Sequence, residues 1–303
     1  MNRFLQSLIV VGLLTFGAAV LGGDFARVCA DDADIDDRYV DAVNGFLQGR
    51  QKLQRGMAHM TGTWNYVIES SGEKRIVDIR GLYVFDFPEK LLRTDAAFRT
   101  TNEEGGEQPD SFKGYQYAEL EHKTLVKFPG DTAPSLVINP ARDLRSEISR
   151  FDIRVLGAAH AVGWDRITLS ELSDNFDRFR EFVTEVEHED QHVRVTLVAK
   201  KNGITSFRRC TWFRKDCDYC PEKLEVSLPK VNVGQPADAN APVVWDAPAQ
   251  TQKLDVIKVQ GVWVPEKVTI ANGTETRELH FKWVTVNEAL DPQAFDFAFQ
   301  PPQ

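Results

Sequence analysis

The residues best suited to chemistry lie late in the chain, where Cys210, Cys217 and Cys220 form a C-x6-C-x2-C cluster. Three thiols this close admit three readings. In an oxidising compartment one structural disulfide closes among them and one thiol stays unpaired. A zinc site wants four ligands in a tetrahedron, and no histidine lies close in sequence. Cys217-Asp218-Tyr219-Cys220 also has the spacing of redox C-x-x-C pairs. Thioredoxin-like pairs, however, open a helix that stabilises the thiolate, whereas Pro221 and a strand-like stretch follow here. A structural disulfide is the expected state, with its connectivity open among the three.

His188 and His192 stand four apart and on a helix would share a metal-binding face. Their flanks, Thr184 to Glu187 and Val193 to Thr196, look instead like two strands meeting at a turn. The carboxylates Glu185, Glu187, Glu189 and Asp190 then decorate a solvated hairpin tip. Asp32, Asp34 and Asp36 resemble a calcium loop, but that loop needs Gly next and Glu at its twelfth position, where Asp37 and Val43 stand. The chain has no G-x-S-x-G elbow, no H-E-x-x-H, no P-loop and no dinucleotide fingerprint. The reading is non-enzymatic, with no metal or cofactor expected.

What must position any site is a chain of 303 residues with 36 basic and 45 acidic side chains, a net charge of −9. A pI near 5.3 argues against nucleic acid as a partner, because neutralising phosphate needs a basic footprint. A hydrophobic fraction of 42%, with six Trp and nineteen Phe, is globular composition and excludes disorder.

Asn2-Arg3, an apolar run from Phe4 to Leu21 and the Val28-Cys29-Ala30 exit have the order of a secretory signal peptide. Residues 1–30 are therefore expected to be removed, leaving a mature, periplasmic or secreted chain from Asp31; the alternative is a retained N-terminal anchor. Tyr39, Val40, Val43, Phe46, Leu47 and Leu53 recur at helical spacing over 36–54. Asn139-Pro140 caps a short helix over 141–149. Thr168-Leu-Ser-Glu171 is a capping box opening a helix over 169–181, with Leu169, Leu172, Phe176 and Phe179 on one face.

The rest alternates at period two, as antiparallel strands do. Trp64, Tyr66 and Ile68 form one such set, and Tyr83, Phe85 and Phe87 another. Val193, Val195 and Leu197 follow, then Leu224, Val226 and Leu228, and finally Leu279, Phe281 and Trp283. Asn272-Gly273 marks a hairpin turn. Residues 229–250, rich in proline, read as a long loop.

Two segments carry a family resemblance. Gly81-Leu-Tyr-Val-Phe-Asp-Phe-Pro88-Glu-Lys-Leu91-Leu-Arg93 has a glycine, an alternating strand, a proline and then apolar residues. Val286 to Phe297, with Asp291-Pro292 and Phe295-Asp-Phe297, forms a closing segment, preceded by Gly261-Val-Trp263-Val-Pro265-Glu-Lys267. Together they resemble the periplasmic lipoprotein carriers and the wider lipoprotein-sorting-protein-like (LolA-like) superfamily. Where those carriers have an arginine directly before the strand proline, this chain has Phe87.

The resemblance implies a mainly β, α+β fold for 31–303. A curved antiparallel sheet would form an unclosed β-barrel, with helices covering its concave face. It also implies a carrier or binding protein for lipidated proteins, lipids or other apolar ligands. The expected partners are a lipid, an acyl chain or a lipoprotein. The alternative is an envelope sensor or interaction domain with a protein partner. Period-two alternation assigns Trp64, Tyr66, Tyr83, Phe85, Phe87, Phe281 and Trp283 to the lining of the apolar cavity.

Overall fold

A computed structural model describes residues 33–68, 70–102, 113–120, 123–128, 130–137, 152–158, 168–201, 204–230 and 243–298. The expected signal peptide, the 141–149 helix and the centre of the 229–250 loop lie outside them. No helix among the described residues is long and apolar enough to cross a membrane.

The chain enters through helix α1 (Ala33–Gln51), followed by strands β1 (Arg55–Ile68), β2 (Glu73–Asp86), β3 (Leu91–Asn102), β4 (Lys113–Leu120), β5 (Lys123–Lys127) and β6 (Ser135–Val137). A 3-10 turn, Ile153–Val155, and helix α2 (Leu169–Phe179) come next. Seven further strands complete the fold: β7 (Val183–His188), β8 (His192–Lys201), β9 (Ile204–Arg214), β10 (Cys220–Ser227), β11 (Gln250–Val259), β12 (Val262–Asn272) and β13 (Glu275–Val286). All lie in one sheet, ordered β6-β5-β4-β3-β2-β1-β13-β12-β11-β10-β9-β8-β7. Every pairing among the described residues is antiparallel, and β6 and β7 are free edges, so the barrel is unclosed. Neighbouring strands in the sheet are consecutive in the chain except where β1 meets β13, which joins the two meanders.

The sheet is curved, and one short chain segment touches strands far apart in it. Ile153 N donates to Tyr83 Oη at 3.3 Å, whereas a Cβ on Gly157 would lie 2.8 Å from Pro221 Cγ. Tyr83 is on β2 and Pro221 on β10, five steps apart in the sheet. In a flat sheet five steps span about 24 Å, yet the four residues from 153 to 157 reach at most about 14 Å. The sheet therefore wraps around this segment. Gly62 and Gly81 sit where the bend is tight: a Cβ would meet the backbone oxygens of Glu278 and Asp95 at 2.0 and 2.3 Å.

Two apolar clusters fill the concave side. The larger gathers Met60, Tyr83, Phe85, Tyr117, Leu254, Val264 and Phe281 under Leu53, Ile153 and Leu156. The other packs Tyr39, Val43 and Phe46 of α1 and Leu169, Leu172 and Phe176 of α2 on Val186, Val193, Val195 and Phe213. The rings of Phe46 and Phe176 meet edge-on at 5.9 Å. The expected apolar faces of both helices thus cover the concave sheet. Helix α1 ends earlier than its periodicity suggests, and Leu53, past its end, joins the larger cluster. Helix α2 opens on the expected capping box, with Glu171 N donating to Thr168 Oγ1 at 3.2 Å and Thr168 N to Glu171 Oε2 at 2.7 Å.

The closing segment is a strap on the convex face. Ala294 and Phe295 pack on Met57, Leu82 and Val84. Arg93, 1% exposed, donates to Ala294 O at 3.0 Å and pairs with Asp95. Asn287 fastens the end of β13 to the α1–β1 link: its Oδ1 accepts from Gln54 N at 2.9 Å and its Nδ2 donates to Lys52 O at 2.7 Å.

Candidate functional site

All seven aromatic residues expected to line the concave face belong to its larger cluster, and the register explains why. Ala58, Met60, Gly62 and Trp64 of β1 oppose Tyr83, Gly81, Ile79 and Val77 of β2 on one side, and Trp283, Phe281, Leu279 and Arg277 of β13 on the other. Their environments differ along the face. Tyr83, Phe85 and Phe281 are fully buried; Trp64, Tyr66, Phe87 and Trp283 are half-buried against them.

One end of the face is a closed aromatic core. Phe85 contacts Tyr83, Phe87 and Trp283 with ring centroids 5.4, 4.7 and 6.1 Å away. Trp283 Nε1 donates to Pro265 O at 2.7 Å, and Tyr83 Oη accepts from Ile153 N. Burial holds the Tyr83 phenol well above its ordinary pKa. Phe87 carries a cation on its ring: the Arg154 guanidinium lies 3.4 Å from the centroid, neutralised by Asp152, which accepts from its Nη2 at 2.7 Å.

The other end is aromatic and polar. The rings of Trp64 and Tyr66 lie 4.7 Å apart, tilted by 35°, and Arg277 lies 4.3 Å over Trp64. The row through Trp64 continues to Arg277, Ile270 and Gln252 across β13, β12 and β11. The neighbouring row carries Glu275, Asn272, Gln250, Val226 and Arg209. Gln252 is 0% exposed, Gln250 7% and Arg209 3%. Among the described residues, both amide atoms of Gln252, Gln250 Nε2, Arg209 Nε and Trp64 Nε1 are buried without a hydrogen-bond partner.

Buried polar atoms are nearly always paired, because each one left unpaired costs about 1–3 kcal/mol. This end of the face is therefore rich in polar atoms that no described residue satisfies. Burial lowers the pKa of Arg209, whose guanidinium rests 5.2 Å from the Phe179 ring. Arg277 is likewise lowered by burial, opposed by Glu275 3.6 Å away, whose own carboxyl burial pushes up. Tyr66 is raised by burial. The arrangement sets hydrogen-bond donors beside apolar surface; among the described residues it holds no nucleophile with a base beside it.

Sequence reasoning placed the aromatic wall and missed the polar rows. The signal was present: Gln250-x-Gln252-x-Leu254 and Arg277-x-Leu279-x-Phe281 put polar side chains on inward-facing positions of the alternation.

The remaining candidate residues lie elsewhere. His188 and His192 end the two strands of the β7–β8 hairpin, so they do not share a helix face, and His192 Nε2 lies 2.5 Å from Glu222 Oε2. Cys210, Cys217 and Cys220, expected to hold one structural disulfide, are all free thiols. Cys210 faces away from the concave side on β9, 3.6 Å from Thr196 Oγ1, and opposes Glu225. Glu225 lies five positions along β10 from Cys220, roughly 16 Å of strand, which is beyond disulfide reach. Cys217 and Cys220, by contrast, are in side-chain contact.

The 229–250 loop begins and ends as a ribbon. Pro229 bridges Trp245, Lys230 N donates to Val244 O at 2.8 Å, and Arg208 lies 5.0 Å from the Trp245 ring.

No family model matches the chain, and no curated protein matches it. Similar solved structures include a DUF1329 family protein from Desulfovibrio piger, 12% identical, with a TM-score of 0.41 over 87% of this chain and 97% of that one. A β-barrel-like protein of the DUF1849 domain of unknown function, from Brucella abortus, is 10% identical, with a TM-score of 0.28 over 78% of this chain and 99% of that one.

Proposed function

We propose that this protein is a non-enzymatic binding protein or carrier for amphiphilic, lipid-like ligands, held on the concave face of its open barrel. The observation that carries the reading is the union of the Trp64–Tyr66 pair with the unpartnered donors of Gln250, Gln252 and Arg209 on one continuous face. The aromatic end offers apolar contact, worth about 0.8 kcal/mol for each CH₂ buried. The donor-rich end suits an oxygen-bearing head such as a carboxylate, phosphate or ester. The resemblance of residues 81–93 and 286–297 to the lipoprotein carriers supports the same class of ligand, and an exported chain would meet such ligands in the cell envelope.

The test is direct. Protein purified without detergent is extracted and its lipids are identified by mass spectrometry, and the delipidated protein is titrated with a fluorescent fatty acid. Saturable uptake that Trp64→Ala weakens, with thermal melts showing an intact fold, is the expected result. No co-purified lipid and no saturable uptake would end this reading and leave the aromatic residues as ordinary core.

A further inference from the structure

The Cys217–Cys220 turn is a built site rather than a loop that happens to carry two cysteines. After the 3-10 turn Lys215–Cys217, Asp218 and Tyr219 both take left-handed conformations, with φ of 57° and 54°, a backbone that non-glycine residues adopt only where the surroundings impose it. Helix α1 imposes it. A Cβ on Gly45 would lie 2.3 Å from the Tyr219 ring, and one on Gly49 would lie 2.7 Å from Asp218 Cβ. The Gly45-x-x-x-Gly49 stripe is therefore the seat of the turn, fastened by Lys52 Nζ on Asp218 Oδ2 at 2.7 Å.

Beneath this turn the two sulfurs meet, with Cys217 1% and Cys220 3% exposed. Cys217 Sγ donates to Arg214 O at 3.5 Å, which leaves the Cys220 sulfur as the acceptor-like partner of the two. One residue beyond Gly49 is Arg50, 1% exposed, and none of its three guanidinium nitrogens has a hydrogen-bond partner among the described residues. A buried arginine without an anion is strongly disfavoured. Its charge favours the thiolate form of Cys220, and its guanidinium lies 5.7 Å from the Phe46 ring.

We propose that Cys217 and Cys220 are a redox-active dithiol in which Cys220 is the nucleophile and Arg50 its buried counter-ion, with low-molecular-weight disulfides as the oxidant. Cys220 Sγ attacks one sulfur of R–S–S–R, forming a mixed disulfide and releasing the first RS⁻. Cys217 then gives up its proton and attacks Cys220 Sγ, closing the intrachain bond and releasing the second RS⁻. The two thiol protons end on two RSH, so one dithiol is oxidised for each disulfide reduced. Both sulfurs lie under the turn, so exchange proceeds as the turn lifts from α1, a local opening.

The charges around the pair favour this assignment. The Cys217 hydrogen bond, Arg50 and Arg214 bring the Cys220 thiol down to about 7, against its own burial and Asp218. Cys217 is pushed upward, chiefly by its partner and by burial. Arg214 is shared with Asp216 at 2.7 Å and Glu222 at 3.8 Å, and Lys52 is held by Asp218. Arg50 is the cation left for the thiolate.

The experiment uses the full chain, reduced and then equilibrated in mixtures of glutathione and glutathione disulfide. Alkylation and peptide mass spectrometry identify which cysteines remain free. A Cys217–Cys220 bridge that forms and is reduced reversibly, with Cys210 alkylated throughout, is expected. Iodoacetamide labelling of Cys220 against pH should show a midpoint near 7, moved toward the ordinary thiol value of about 8.5 in Arg50→Met. No bridge at any ratio refutes the proposal, and so does a bridge that glutathione cannot reduce. A folded Arg50→Met with an unchanged profile refutes Arg50 as counter-ion. Should that variant fail to fold, a wild-type midpoint at the ordinary thiol value refutes the assignment by itself.

Discussion

Replacing Gln252 by methionine should make the protein more stable and a poorer binder at once. Gln252 is fully buried between Leu224 of β10 and Ile270 of β12, two residues from Leu254 on the same face. Neither of its amide atoms has a partner among the described residues. Leaving a buried amide unpaired costs about 1–3 kcal/mol, and methionine is close to glutamine in length and shape and adapts to irregular packing. Gln252→Met should therefore raise the free energy of unfolding by about 1–3 kcal/mol. At about 2–4 °C per kcal/mol for a domain of this size, Tm should rise by roughly 2–12 °C. Urea melts followed by tryptophan fluorescence should show a higher midpoint at an unchanged m value. In the same protein, uptake of a fluorescent fatty acid should weaken, because a donor and an acceptor for its head are gone. A lower stability would mean that the Gln252 amide is already satisfied within the fold, and the argument from unpaired polar atoms would fail. Higher stability with unchanged uptake would remove the head-group role while leaving the packing argument intact.

Three other outcomes follow from the packing and the pKa directions. Phe46→Ala, which empties a site fully buried between Phe176 and Phe213, should cost about 3–5 kcal/mol in chemical denaturation. Gly81→Val should destabilise strongly or prevent folding, because the added Cβ would meet the Asp95 carbonyl at 2.3 Å; a melt within a degree of wild type would contradict the tight bend. Tyr39, whose hydroxyl donates to Phe176 O at 2.9 Å, is held protonated by burial, its pKa raised from 10.0. The folded state keeps that proton when the unfolded chain loses it, so this contribution is complete below pH 10 and is lost as the pH rises toward the folded value. Alkaline melts should therefore lose about 1.4 kcal/mol per pH unit above 10 from this residue, and Tyr39→Phe should remove that share of the slope.

Much of the fold was legible because its elements announce themselves locally. The capping box at Thr168, the α1 stripe and the period-two aromatic sets each encode one face of one element, and each face packs against one of the two concave clusters, fully or half-buried. Turns were less legible. The β12–β13 loop is Gly273-Thr274, with Gly273 at φ 56° and Asn272 still pairing with Glu275, so the Asn-Gly signal marks the place but not the register. The β11–β12 turn places Gln260 as well as Gly261 at positive φ, 48° and 83°; glutamine carries no local preference for that conformation, so only the flanking strands reveal it. The β1–β13 pairing joins residues more than two hundred positions apart, and no local pattern encodes it. The polar rows escaped notice for a related reason: Arg209, Gln250 and Arg277 come from three strands, and their adjacency exists only once register is known.

Why the binding end should be that of Trp64 rather than that of Phe85 follows from how each end treats its polar atoms. Around Phe85 the indole of Trp283 donates to a backbone oxygen, the phenol of Tyr83 has the Ile153 amide, and the Arg154 cation has Asp152. Thr94 Oγ1 is an unpaired exception there. Covering chain from Leu53, Ile153 and Leu156 completes this end as a core. At the other end Trp64 Nε1, Gln250 Nε2 and both amide atoms of Gln252 have no hydrogen-bond partner among the described residues, and the adjoining rings of Trp64 and Tyr66 are only half-buried. A fold gains nothing from burying donors it does not use, and locally inconsistent positions of this kind tend to mark functional sites. The same reasoning singles out Arg50 on the far side of α1, where the unpaired group is a full charge and the available partner is a thiol. Both places leave buried polar atoms unpaired among the described residues, and on the two proposals made above each would be met by an electron-rich atom: a ligand oxygen at one, the Cys220 sulfur at the other.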